Sequence, residues 1–383
     1  MFMSVEVHGY CDEKFSGLKD VLATSVEAGS DLGASFAATV DGEMVVDIWA
    51  GSLDEAQEQS WQKDTLVNVY STTKTMSFLC ALVLADRGQL DFDAKVAKYW
   101  PEFAQNGKGD VKVWHLMNHA AGLSGLEEPV TPADMYDWDK ITGLLAAQAP
   151  WWEPGSATGY HAITQGYLIG EIVRRISGRS LGQFFAEEIA RPLGADFYIG
   201  VPEQEFPRIG HLIPPGGGDA EPSAGGDENS IAARTFRNPA IGALESRTPE
   251  WRKAEIPAAN GHGNARSVAR IQSILACMGE VDGIRLLSEE TAKSVMVERI
   301  SGKDLVLNVP LRFGLGYGLN QPAAPLSPNQ NVCYWGGWGG SVIVVDQDAR
   351  ASISYVMNKM NVGLTGDMRS ANLVGGFYQS LLS

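Results

Sequence analysis

Residues 68–89 read NVYSTTKTMSFLCALVLADRGQ. From Thr75 to Ala85 nearly every side chain is apolar or small, among them Met76, Phe78, Leu79, Cys80, Leu82, Val83 and Leu84. A helix without a polar face is a core helix, and Arg87-Gly88 supplies the charge and cap that end one. Lys74 breaks the pattern. It stands one turn after Ser71 on the same face, at a helix start, where the dipole opposes an ammonium group and unpaired N–H groups favour an anion. A lysine that snorkels its head to the surface is one explanation. The other is chemical: a serine hydroxyl is too weak an acid to attack at neutral pH, and a neighbouring amine can activate it. Ser-x-x-Lys recurs by chance, so the second explanation needs partners elsewhere in the chain.

The 383 residues, 44% hydrophobic and 20% charged, suffice for two lobes or one large domain with an insertion. No run approaches the roughly 18 uninterrupted apolar residues of a membrane span. The start, MFMSVEVHGYCDEKF, lacks the basic, apolar and small-residue segments of a secretory signal, which predicts a cytoplasmic protein. A net charge of −16, without a basic cluster, disfavours nucleic acid and anionic membranes as partners. Cys11, Cys80, Cys277 and Cys333 form no C-x-x-C pair, so free thiols are expected and no zinc cage or redox motif is encoded.

Working outward, Phe15, Leu18, Leu22 and Val26 have helical spacing, and GASFAATVDGEMVVDIWAG (33–51) gives two apolar runs around Asp41-Gly42, a strong hairpin signal. YWGGWGGSVIVVDQDARASISYVMNKM (334–360) gives another strand pair joined at Asp346-Gln347-Asp348, followed by a helix-like tail to Leu382. Between them the chain reads as helices and long loops. The expected fold is α+β: an antiparallel sheet built from both chain ends and flanked by helices, with a mainly helical inserted domain. The lobes divide as 1–95, 96–261 and 262–383. IPPGGGDAEPSAGGDENS (213–230) is expected to be a surface loop, partly disordered, without chemistry.

Two further stretches supply partners for Ser71. In GYHAIT, Tyr160 precedes a helix marked by Ile169, Ile172, Val173 and Ile176. A lysine ammonium beside it would lower its pKa and let it take the serine proton. In YWGGWGGS, tandem glycines allow close backbone approach, and an edge strand there can aim an N–H at a carbonyl oxygen, forming an oxyanion hole with the Ser71 N–H.

In this order the motifs resemble the serine β-lactamase and penicillin-binding-protein superfamily, in its class C β-lactamase-like branch, and above all the family VIII carboxylesterases. The resemblance extends through DGEMVVDIWAG, TLVNVYSTTKT, LMNHAAGLSGL, WWEPGSATGYHAITQGYLIGEIVRRISGRSLGQFF and VMNKM. It implies a β-lactamase-like fold, Ser71 as nucleophile, Lys74 and Tyr160 as the base pair, and Trp338 N–H as second oxyanion donor. Trp335-Gly336-Gly337 then falls in the Lys-Thr-Gly slot, and Trp335, Gly336, Gly337, Trp152 and His161 are expected to contact substrate. Trp335 replaces the lysine that would hold a β-lactam carboxylate, and Ala162 stands where an amide is usual. The resemblance therefore implies a cofactor-free, metal-free carboxylesterase acting on short, uncharged, small-molecule esters, over a β-lactamase, a D-amino-acid peptidase or amidase, an acyltransferase, or a non-catalytic ligand-binding relative.

Two rival motifs carry less. GRSLG (178–182) matches a nucleophile elbow, but a helix, GEIVRRIS, precedes it, and Ser180 and Gln183 suit a capping box. His115 and His119 have zinc-pair spacing without the glutamate of H-E-x-x-H, and a structural role is expected for both.

Overall fold

The computed structural model describes residues 5–222 and 227–383. Residues 223–226, part of the expected surface loop, lie outside the described residues.

The N-terminal part gives β1 (His8–Cys11), α1 (Gly17–Glu27), β2 (Gly33–Val40) and β3 (Glu43–Gly51). The turn between β2 and β3 has φ of 52° at Asp41 and 86° at Gly42, the left-handed pair that a two-residue hairpin of this kind requires. The C-terminal part gives β4 (Ile300–Lys303), β5 (Pro310–Phe313), β6 (Gly318–Leu319), β7 (Val332–Gly336), β8 (Val342–Asp346) and β9 (Ala351–Met357). Together they form one antiparallel sheet in the order β1-β3-β2-β9-β8-β7-β6-β5-β4. The two chain ends meet where β2 pairs with β9, Phe36 opposite Tyr355.

β2, β8 and β9 are buried almost without alternation, so both sheet faces are covered. On one face Ser35 Oγ accepts the Ala265 N–H at the start of a helix over Ala265–Ala276. On the other, Tyr355 OH donates to Asp31, which also receives Arg369 from the last helix, Met368–Leu382. That helix packs on α1, with Phe15 and Phe377 stacked at 5.0 Å.

The greasy segment is α2 (Lys74–Asp86), buried on all sides through Leu84 and packed against the helices Thr164–Ser177 and Leu181–Phe185. Gly88, at φ 70°, closes it by donating its N–H to Ala85 O. Most of the remaining helices come from residues 113–253.

Three sequence expectations change. Tyr334 to Met357 form two hairpins instead of one, because the glycine run is itself a turn between β7 and β8. β7 is an interior strand where Cys333 and Tyr334 pair with β6. The 213–230 segment is not all inert surface, since Pro222 forms part of the cavity wall beside Ser71.

Candidate active site

The chain approaches the site through Val67-Asn68, paired with His262-Gly263. The Asn68 amide donates to Ala259 O at 2.7 Å and Gly261 O at 3.0 Å, fixing this approach to the loop before residue 262. Tyr70 then takes φ 42°, a left-handed conformation that costs a bulky residue energy and turns the chain sharply. Tyr70–Thr73 form a single 3-10 turn leading into α2. Ser71 therefore faces a cavity, and Lys74 lies beneath it.

Lys74 is 1% exposed. Its Nζ lies 2.7 Å from Ala162 O, 2.9 Å from Ala258 O, 3.0 Å from Ser71 Oγ and 3.0 Å from Tyr160 OH. Ser71 Oγ and Tyr160 OH are themselves hydrogen-bonded. A neutral amine has two N–H groups and one lone pair. With the N–H groups directed at the two carbonyls, the lone pair faces the two hydroxyls.

Burial supports that protonation state. Lys74 is held well below the ordinary lysine value by desolvation. Tyr160 is pushed above the ordinary tyrosine value, first by burial and further by the Asp304 charge, with the Ser71 hydrogen bond working the other way. The expectation that a lysine ammonium lowers the tyrosine pKa is thus corrected. Burial disfavours the charged form of each group, which favours a neutral amine beside a neutral phenol.

Tyr160 is fixed from a distance in sequence. Its N–H donates to Asp304 Oδ1 at 3.1 Å, and the same oxygen accepts from Val306 N at 2.9 Å and Leu307 N at 2.8 Å. Neither Asp304 nor the carbonyls of Ala162 and Ala258 were singled out from sequence. A carbonyl carries no side-chain signal, and Asp304 sits in a stretch without a motif.

Between β7 and β8, residues 337–341 form the glycine-rich turn. Among the described residues, the N–H groups of Ser71 and Trp338 donate to no protein acceptor. Gly337 is required here: a Cβ would lie 2.2 Å from Val69 O and 2.4 Å from Ser341 Oγ.

Several expected substrate contacts are corrected. Trp335 is 1% exposed and packs behind Tyr160 among His119, Phe313 and the Tyr160 ring, at centroid distances of 5.5, 5.6 and 5.8 Å. Gly336 abuts the Thr365 backbone, and Gly337 abuts Val69. His161 is fully buried, its Nε2 accepting the Leu123 N–H and its Nδ1 pairing with Gly159 O. Trp152 packs on His161 and donates to Ala157 O at 3.0 Å. None of these five lines the cavity at Ser71. Trp335 is packed behind Tyr160, Gly336 and Gly337 are closed off by neighbouring backbone, and His161 and Trp152 are held by hydrogen bonds of their own.

The cavity lining includes Tyr70, Tyr160, Ile163, Phe236, Trp251 and Trp338, and no lining side chain among the described residues is charged. Its volume is about 50 Å³, small beside the groove of about 340 Å³ over Trp151, Arg234 and Arg237.

The rival motifs are structural. Ser180 Oγ accepts the Gln183 N–H at the head of helix Leu181–Phe185, while the Gln183 side chain reaches Glu187, so only half of the capping box forms. His115 Nδ1 accepts the Lys112 N–H, and His119 Nδ1 accepts the His161 N–H.

A nine-stranded antiparallel sheet with a helical insertion and a Ser-x-x-Lys turn packed beside the β7–β8 turn defines a protein of β-lactamase-like fold. The chain belongs to the β-lactamase family, whose Beta-lactamase model matches residues 18–374. It is 35% identical over 364 residues to the "Esterase/beta-lactamase LipL" of Mycobacterium tuberculosis, covering 92% of this chain and 83% of that protein. Among solved structures, a family VIII carboxylesterase superposes with a TM-score of 0.91 at 39% identity, covering 98% of this chain and 100% of the other. A penicillin-binding-protein homologue from Caulobacter crescentus gives 0.90 at 38%, with 98% and 100% covered.

Proposed function

We propose that the protein is a carboxylesterase that cleaves short, uncharged esters through an acyl-serine intermediate. The observation that carries this reading is Lys74 Nζ at 3.0 Å from both Ser71 Oγ and Tyr160 OH, beside a small cavity without a charged wall. Its esterase-named relatives support the same reaction.

In this mechanism Ser71 Oγ attacks the ester carbonyl carbon. Its proton passes to Tyr160 as the tyrosine proton passes to Lys74, leaving the charge on an ammonium held by two carbonyls. The N–H groups of Ser71 and Trp338 hold the oxyanion, each such donor contributing roughly 10²–10³ in rate. Collapse expels the alcohol, which recovers the proton through the same relay. Water then gives its proton to the pair as its oxygen attacks the acyl carbon, Ser71 regains a proton, and the acid leaves.

A second reading, β-lactam hydrolysis, is favoured by the name of the mycobacterial relative. It calls for a cationic partner for the substrate carboxylate. Arg266 is tied to Asp47 and Asp64, Arg312 to Glu298 and Asn320 O, and neither lines the cavity. Burying that carboxylate unpaired would be costly, which favours neutral esters.

The proposal includes a cytoplasmic location, supported by free thiols at Cys11, Cys80, Cys277 and Cys333, as a reducing compartment maintains them. No helix among the described residues is long and apolar enough to cross a membrane. The division into lobes at 95/96 and 261/262 is retained as a proposal, with the cavity drawing residues from all three segments.

The deciding experiment measures kcat/KM for p-nitrophenyl acetate through octanoate beside nitrocefin. The short esters are expected to lead, and Ser71→Ala is expected to abolish turnover and fluorophosphonate labelling. Nitrocefin turned over as efficiently as p-nitrophenyl butyrate would overturn the proposal.

A further inference from the structure

Ser341, 1% exposed, joins the two pieces of chain that carry the Ser71 and Trp338 N–H groups. Its Oγ donates to Val69 O at 2.9 Å, two residues before the nucleophile, and lies 2.9 Å from Thr72 Oγ1, the residue after it. Because the single Ser341 hydroxyl proton goes to Val69 O, Thr72 is the donor of the second bond. On its own side Ser341 O accepts the Gly337 N–H at 2.8 Å, closing the turn that presents Trp338. Gly340 N–H closes the turn again on Gly337 O at 3.1 Å. One serine thus clamps the residues on both sides of Ser71 to the residue before Trp338.

We infer that Ser341, with Thr72 as its donor, is a positioning residue that sets the separation of the two oxyanion donors. The inference rests on the oxyanion assignment proposed above. Among the described residues the turn makes no other side-chain hydrogen bond to the nucleophile segment, and its remaining side-chain contact there is the Trp338 ring against the Tyr70 ring at 5.0 Å. β7 and β8 fix it from behind, but the nucleophile turn belongs to no strand of that sheet. Without the clamp, the two N–H groups are joined only by packing. Oxyanion stabilisation depends on donors already placed for the developing charge, so a small change in their separation acts on the transition state more than on the bound ester.

The test compares p-nitrophenyl butyrate with its thiono analogue, whose sulfur is a poor acceptor for N–H donors. The unmodified protein is expected to prefer the oxygen ester by about 100-fold or more relative to alkaline hydrolysis in solution, the scale of a lost oxyanion donor. Ser341→Ala is expected to lower kcat on the oxygen ester about 10- to 100-fold, with KM within about threefold and the oxygen preference largely lost. Thr72→Val removes the other hydroxyl and is expected to act in the same direction, whereas Thr72→Ser restores the unmodified behaviour. Thr72→Val carries the test alone if Ser341→Ala does not fold. A Ser341 that serves only the fold would lower Tm and leave the oxygen preference intact. That result, or unchanged kcat in the folded variants, overturns the inference while the oxyanion assignment stands. An unmodified protein with no more preference than solution hydrolysis overturns the assignment itself and the inference with it.

Discussion

Lys74 Nζ stands 3.0 Å from Tyr160 OH with two carbonyl oxygens behind it and, among the described residues, no carboxylate paired with it. An ammonium in that position would be a buried charge without a counter-ion, which is why desolvation dominates its titration. The lysine is consequently a base in waiting, and the tyrosine is its contact with the serine proton.

If the two act as one unit, Lys74→Ala and Tyr160→Phe each lower kcat by about 10²–10⁴ with much smaller changes in KM. The double variant should be little worse than either single one, because members of one relay are not additive. Purified variants assayed on p-nitrophenyl butyrate check this. Multiplying effects in kcat/KM would separate the two groups.

The same burial makes stability depend on pH in a definite direction. Below about pH 10.4 an unfolded lysine is protonated, whereas Lys74 in the folded chain is held neutral to well below that value. Across this window the unfolded state binds one proton more, so stability rises with pH by up to about 1.4 kcal/mol per unit. Lys74→Met removes this term. Denaturant unfolding from pH 7 to 10 should show the unmodified protein gaining on the variant as pH rises, and parallel curves would mean that Lys74 keeps its proton when folded.

What the sequence revealed and what it concealed follow from how each residue acts. Ser71 and Lys74 were legible because they share one helical turn, and Asp41-Gly42 because a hairpin of this kind demands positive φ. Tyr160 was legible only through its place in a motif. Asp304, 144 residues away from Tyr160, acts through a loop contact that no local pattern announces. Trp335 is not placed by the sequence, because its chain position beside the glycine turn does not reveal which face of β7 it occupies. The direction of the Tyr160 pKa shift is not legible in the sequence, because burial, a tertiary property, is its largest cause.

The position of Trp335 changes the outcome of placing a cation there. From sequence alone, Trp335→Lys would be expected to recruit β-lactam carboxylates. In the folded protein the new ammonium would sit among His119, Phe313 and Tyr160, out of reach of the cavity. We expect destabilisation of about 3–5 kcal/mol, typical of emptying a large aromatic site and burying a lone charge, without a gain in nitrocefin turnover. Trp335→Phe should be milder, since the indole Nε1 has no partner among the described residues. Denaturant melts and nitrocefin rates measured side by side decide the point, and a stable Trp335→Lys variant with enhanced β-lactam activity would return Trp335 to the substrate surface.

We expect acyl length to be limited by the cavity wall that includes Phe236. Phe236 lies at the end of the helix Ile231–Arg237, packed against the core and facing the cavity with Ile241 and Trp251. With a cavity of only about 50 Å³, an acyl chain beyond a few carbons must displace a side chain or leave its end in water. Phe236→Ala removes a ring from that wall without touching Ser71, Lys74 or Tyr160. Each methylene then buried contributes about 0.8 kcal/mol, or roughly fourfold in binding. We therefore expect the ratio of kcat/KM for p-nitrophenyl octanoate to that for the butyrate to rise at least tenfold, through KM, while kcat on the acetate changes little. Collapse of the wall into the space would shrink the gain, as cavities left by large-to-small changes relax in part. A chain-length profile identical to that of the unmodified protein, in a variant that retains its fold, would place the acyl group elsewhere than against Phe236.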